Sequence, residues 1–177
     1  FLNDLVRQRA DRASIEPKLK EYAIDILDAR KWLAAVIHVE QIGRTEGKAF
    51  SHHQELIPIS VRRLAEDHLR PYCRFVMFNS TDGITMITAI DDGNTQTGLI
   101  NMLNDICRES RRLLEVAITV GVGHSCGGLE EIARSYESAV DALGYQAIVG
   151  KGKAIYINDV EPVSRGKLQL EGKEEEE

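Results

Sequence analysis

CRFVMFNSTDGITMITAI, residues 73–90, decides the fold. Cys73 to Asn79 is an apolar run with strand composition, and Ile84 to Ile90 is a second. Ser80-Thr81-Asp82-Gly83 between them is a turn by composition, because Ser, Asp and Gly supply the local hydrogen bonds and backbone freedom a tight reversal needs. The two runs therefore form a hairpin.

Upstream, Trp32 to Val39 reads WLAAVIHV, short, nearly all apolar and flanked by charge, as a buried central strand is. Gln41 to Ser51 is polar, holds Gly43 and Gly47, and reads as a loop. Glu55 to Leu69 places Ile57, Val61, Leu64, Ala65 and His68 on one helical face, with Pro58 in its first turn and Pro71 after its end. Downstream of the hairpin, Asp91 to Gln96 is a loop and Thr97 to Leu114 repeats Ile100, Leu103, Ile106, Cys107 and Leu113 at helical spacing. Val116 to Val122 is a strand. Leu129 to Leu143 carries the clearest apolar stripe: Leu129, Ile132, Ala133, Tyr136, Val140 and Leu143. Gly150 and Gly152 flank a turn before a last strand, Ala154 to Ile157. The order from Trp32 is β-α-β-β-α-β, then α-β. Its first six elements are the split βαβ, ferredoxin-like arrangement, and two right-handed crossovers put both helices on one face of an antiparallel sheet.

Ahead of this body, Phe1 to Arg9 has Leu2, Leu5 and Val6 at helical spacing. A second short helix follows, with Ser14 as its expected N-cap, Pro17 near its start and Ile15, Leu19, Tyr22 and Ala23 as its stripe. The stripe Phe1, Leu2, Leu5 fits core packing and also the tail of a coiled coil from a preceding domain. The class expected is α+β. Residues 1–28 form a helical lead-in, 29–163 the main domain and 164–177 a linker or tail. Glu174 to Glu177 reads equally as a solvated tail or the opening of another helix.

A chain of 177 residues is one domain's length, and a net charge of -6 disfavours contact with a phosphate backbone. Cys73, Cys107 and Cys126 are odd in number and scattered, which argues against a disulfide framework or zinc knuckle and points to a reducing, cytoplasmic compartment. No apolar run reaches the roughly 20 residues of a membrane helix. The chain starts at Phe1 inside a helix, as a piece of a longer protein does.

Each candidate for chemistry has a plainer reading. Gly121-Val122-Gly123, with Gly128 beyond, is neither GxGxxG nor part of a GK[ST] loop, and reads as a strand end. His52-His53 are adjacent, so on a helix they point about 100° apart and make a poor metal pair. His38 and Glu40 share a strand face and fit a metal or proton-handling pair, but also the polar end of a buried strand. Asp82, Asp91 and Asp92 follow strands, where paired carboxylates hold magnesium, yet Asp is also a common turn residue. Ser125 and Cys126 lack a nucleophile context. No catalytic residue, metal site or cofactor is assigned.

GVGHSCGGLEEIARSYESAVDALGYQAIVGKGKAIYINDVE, residues 121–161, resembles the end of the GGDEF-like domain of YesN-type response regulators, AraC-family transcription regulators of bacteria. The motif residues are Gly121 and Gly123 at the strand end, Ser135, Tyr136 and Ala139 on the helix, and Gly150, Lys151 and Gly152 in the turn. FLNDLVRQRADRASIEPKLKEYAI, residues 1–24, is similar to the lead-in between receiver and central domain of the same family. The resemblance implies a parent with an N-terminal receiver, this domain, and a C-terminal helix-turn-helix pair that alone contacts DNA. With helical stubs at both ends, the reading is a regulatory domain that relays the receiver's state, working as a homodimer, and the short apolar runs give no membrane contact. The fold resembles that of diguanylate cyclases, whose Gly-Gly-Asp-Glu-Phe turn stands on the central hairpin. Here Ser80, Thr81, Asp82 and Gly83 occupy that turn, with no acidic pair. Only Glu40 stands where the first strand supplies an aspartate. The expectation is that the domain is not an enzyme. The alternative is a small-molecule or nucleotide sensor with a pocket bordered by residues 41–51 and 91–96.

Overall fold

A computed structural model describes residues 1–40, 54–91 and 95–161. The loop at 41–51, the His52-His53 pair, Asp92 and the tail at 164–177 lie outside the described residues.

Five strands form one sheet: β1 (Lys31–Val39), β2 (Phe75–Ser80), β3 (Gly83–Ile90), β4 (Ile118–Val122) and β5 (Ala154–Tyr156), in the order β2-β3-β1-β4-β5. The helices are α1 (Leu2–Val6), α2 (Arg12–Glu21), α3 (Ile57–Leu69), α4 (Gln96–Glu109), α5 (Ile132–Leu143) and α6 (Gln146–Val149), with a last helical stretch over 157–161. The class is α+β, with β1 antiparallel to both β3 and β4. The sheet is mixed rather than antiparallel throughout, because α5 carries the chain back across the sheet and β5 pairs parallel to β4.

β1 is buried on both faces, which is why it lacks alternation. Leu33, Ala35 and Ile37 pack with α3 and α4 through Val61, Ala65, Leu69, Leu99, Leu103 and Ile106. Ala34 and Val36 pack the other way, with Ile132, Tyr136 and Ala139 of α5 and with Leu5, Val6, Ile15 and Leu19 of the lead-in helices. The two crossover helices thus share one face, as the split βαβ order predicts, and α5 lies with α1 and α2 on the other. The lead-in is part of the core: Leu19 and Ile26 are fully buried, and the Trp32 indole N–H donates to the Ile26 carbonyl at 2.5 Å.

Local chemistry shifts several boundaries. α2 begins at Arg12, because Asp11 and not Ser14 is its N-cap; the Asp11 carboxylate accepts from the Ala13 N–H, and Ser14 donates its hydroxyl back to the Asp11 carbonyl. Pro17 consequently lies inside the helix. α4 ends at Glu109, where the helix widens into a π-turn over Ser110–Leu114 and stops at Glu115, whose φ is 57°. α6 was not visible in the sequence, since four residues carry no periodicity.

Candidate functional site

The β2–β3 hairpin turns in two residues, Thr81 and Asp82, between the paired Ser80 and Gly83. Gly83 has φ 143°, and a Cβ there would lie 2.4 Å from the Ile37 carbonyl oxygen of β1. Both facts require glycine. The Ser80 hydroxyl accepts from the Asp82 N–H at 3.2 Å and sits 2.8 Å from the Thr85 hydroxyl.

Three side chains from outside hold this turn. The Tyr136 hydroxyl of α5 donates to the Asp82 carboxylate and meets the Ser80 hydroxyl at 3.2 Å. Arg7 donates to the Thr81 hydroxyl at 2.5 Å, and the Asn3 amide donates to the Asn79 carbonyl at 3.0 Å. Burial first, and the Asp82 carboxylate second, push the Tyr136 phenol above its ordinary pKa. The turn's one carboxylate is therefore engaged by a phenol.

Gly121, Gly123, Ser135 and Ala139 form a single interlock between β4 and α5. A Cβ on Gly121 would come 2.1 Å from the Ala139 carbonyl oxygen, and one on Gly123 would come 1.9 Å from that of Ser135. The strand and the helix backbone touch here, so neither position has room for a side chain. In the same contact the buried Ser135 hydroxyl accepts the Ala34 N–H of β1 at 2.8 Å, and Ser138 accepts the His124 N–H at 3.0 Å. Gly150 (φ 98°) and Gly152 (φ 76°) reverse the chain before β5, and the Gly152 N–H donates to the Thr119 hydroxyl at 2.9 Å.

The remaining candidates do not converge. Glu40 faces Lys151 at 3.5 Å; its other carboxylate oxygen is buried and has no hydrogen-bond partner among the described residues. His38 is half-buried near the end of β1. His68 contacts the Leu64 carbonyl at 2.9 Å, and His124 pairs with Glu161 at 3.0 Å. Asp91 binds the Arg74 guanidinium through both oxygens, at 3.1 and 2.9 Å, while Arg74 also reaches Asp25 and the Asp28 carbonyl. Among the described residues no three His, Cys, Asp or Glu side chains gather as a metal site. The three cysteines are unpaired, and burial lifts the thiol pKa of Cys73 and Cys107 to about 12 and that of Cys126 to about 11. No described helix is long and apolar enough to cross a membrane. Sequence reasoning missed Asn3, Arg7 and Arg74, because polar residues on exposed faces carry no periodic signal and their partners lie far along the chain.

The model of the GGDEF-like domain family matches residues 7–145. No curated protein matches. Among solved structures, the GGDEF domain of DgcB from Caulobacter crescentus in complex with c-di-GMP is 15% identical with TM-score 0.54, covering 84% of this chain and 91% of that one. The coiled coil and GGDEF domain of the same protein gives 14% and 0.53, covering 88% and 78%. The active GGEEF domain of a diguanylate cyclase from Vibrio cholerae gives 10% and 0.49, covering 80% and 88%. These findings correct one expectation. The family match, together with the fold shared with GGDEF domains, overturns the reading that the chain is not an enzyme; an altered turn does not establish it, and activity of this chain is a question for assay. By the match over 7–145, the chain belongs to the family of GGDEF-like domains.

Proposed function

We propose that this chain is a signal-relay domain of a bacterial, cytoplasmic response regulator of the YesN type, in which 1–28 is the lead-in from a receiver and 29–163 passes its state to an AraC-type DNA-binding domain through a homodimer. The observation that carries this reading is the docking of the lead-in: Leu5, Val6, Ile15 and Leu19 are buried in the same cluster as α5 and β1. A displacement of these helices is therefore felt by the core and not absorbed by a slack tether. The dimer surface of this reading lies beside them, where Phe1 stacks on the exposed Tyr22 with ring centroids 6.1 Å apart and the Lys18 ammonium lies 5.4 Å from the Phe1 ring. Light scattering of the chain and of Tyr22→Ser tests the dimer. Concentration-dependent dimerisation weakened by the substitution supports it, and strictly monomeric behaviour of both chains counts against it. Reading the gene on either side of these residues, for a receiver aspartate and paired helix-turn-helix units, tests the context.

A second reading, a small-molecule or nucleotide sensor, is favoured by a groove of about 540 Å³ between α3 and the hairpin, lined by Pro58, Ile59, Arg62, Arg63, Glu66, Asp67, Arg70 and Asn79. Its described walls are α3, Arg70 and Asn79; residues 41–51 and 92–94 lie outside the described residues. A thermal-shift screen of nucleotides and metabolites tests it; a flat response removes its support. Incubation with GTP and magnesium, followed by chromatography for a cyclic dinucleotide, tests the family's chemistry directly.

A further inference from the structure

β2 is an edge strand, and its hydrogen-bond parity is fixed by the Ala89 N–H, which donates to the Arg74 carbonyl. Residues 74, 76, 78 and 80 therefore direct their backbone groups to β3, and 75, 77 and 79 direct theirs outward. Two outward carbonyls are capped by side chains. Arg62 of α3 donates to that of Met77 at 2.9 Å, and Asn3 of α1 to that of Asn79 at 3.0 Å. Two residues further on, Arg7, the C-cap of α1, holds Thr81. Both of these α1 contacts fall on the last outward residue of β2 and on the turn.

α1 is itself built to depend on docking. It has five residues and no side-chain N-cap bond, and the chain leaves it through Gln8 at φ 61°. A helix that short is not stable alone and takes its form from its neighbours. A residue other than glycine in the left-handed region marks a costly bend at its exit.

We propose that α1, seated by the buried Leu5 and Val6, is a strap whose docking sets the order of the Ser80–Gly83 turn. Docked, Asn3 and Arg7 close the outer edge of β2 at Asn79 and fix the tip at Thr81. Released, the strap leaves the tip held from one side only, by Tyr136. Whatever moves α1 therefore alters the order of the β2–β3 turn. This needs only the present chain, so it stands or falls separately from the response-regulator reading.

Hydrogen exchange on the whole chain tests it. In Asn3→Ala/Arg7→Ala, amides at 80–84 exchange roughly tenfold faster, as expected for losing a hydrogen bond from a charged donor, while β1 amides are unchanged. Coupling is reciprocal, so Thr81→Val, which only removes the acceptor at the tip, speeds exchange within residues 2–8. Arg7→Lys gives a smaller effect of the same kind and guards against gross disturbance. Faster exchange in α1 with an unchanged tip overturns the strap. So does a uniform rise that includes β1, because the contacts then only add stability. Absence of the reciprocal effect in Thr81→Val overturns it as well.

Discussion

Gly121→Ala adds one methyl group at a point where backbone meets backbone. Its Cβ would stand 2.1 Å from the Ala139 carbonyl oxygen and 2.8 Å from Leu143 Cγ. A close C–H···O contact needs roughly 3.3 Å, so the gap must open by about 1.2 Å. The obstacle is main chain inside two regular elements, so no rotamer change relieves it. α5 has to lift away from β4 while Ile132, Ser135, Tyr136, Ala139 and Ala142, all buried, hold it down. Overpacking of a tight core costs about 1–3 kcal/mol, and a backbone obstacle belongs at the upper end. A loss of about 3 kcal/mol lowers the melting temperature of a domain this size by roughly 6–12 °C. Urea unfolding with a shared m-value, read by circular dichroism, measures the change. Gly127→Ala is the control, because nothing lies within 4 Å of its Cβ; its effect should stay within about 0.5 kcal/mol. Gly123→Ala should match Gly121→Ala, and the double variant should cost less than the sum, because one displacement of α5 relieves both clashes. If Gly121→Ala unfolds within 0.5 kcal/mol of the parent, the tight β4–α5 interlock is wrong.

Ser135→Ala leaves the buried Ala34 N–H without its acceptor and should destabilise by about 1–3 kcal/mol in the same urea assay. Tyr136 has a folded pKa above its unfolded one, so it binds its proton more tightly when folded. Its contribution is complete below the ordinary tyrosine pKa of about 10 and is lost as pH rises beyond it. Unfolding free energy measured from neutral to strongly alkaline pH should fall less steeply in Tyr136→Phe than in the parent. All three thiols are held protonated, so alkylation near pH 8 should be slow on the native chain and modify three residues in denaturant, as read by mass spectrometry.

The elements legible in the sequence were those whose signal is local and repeated. WLAAVIHV gave β1 because a strand buried on both faces needs no polar residue. Leu129 to Leu143 gave α5 because its stripe is long. The composition of Ser80 to Gly83 placed the turn. Ser14 misled because three residues upstream Asp11 offers a carboxylate that reaches the Ala13 N–H. β5 was found but its direction was not, since parallel pairing depends on the crossover path and not on three residues of strand. At the site, Gly121 and Gly123 could be seen as a strand end. That they exist to let the carbonyls of Ser135 and Ala139 approach is a fact of tertiary distance. The hold of Asn3 and Arg7 on the turn spans 76 and 74 residues, and no pattern in either segment announces it.

Double-sided burial of β1 also constrains how the protein can be made. Its partners are β3, about fifty residues later, and β4, about eighty residues later. Pairing at that separation is slow, because long loops must close before any contact repays them. Until Val122 has emerged from the ribosome, this nine-residue, largely apolar strand has one unpaired edge, and the part of its face that α5 covers stays open until Leu143 has followed. The nascent chain is then a natural client for chaperones that shield extended segments, and a stop codon anywhere before β4 should yield an aggregate and not a smaller folded domain.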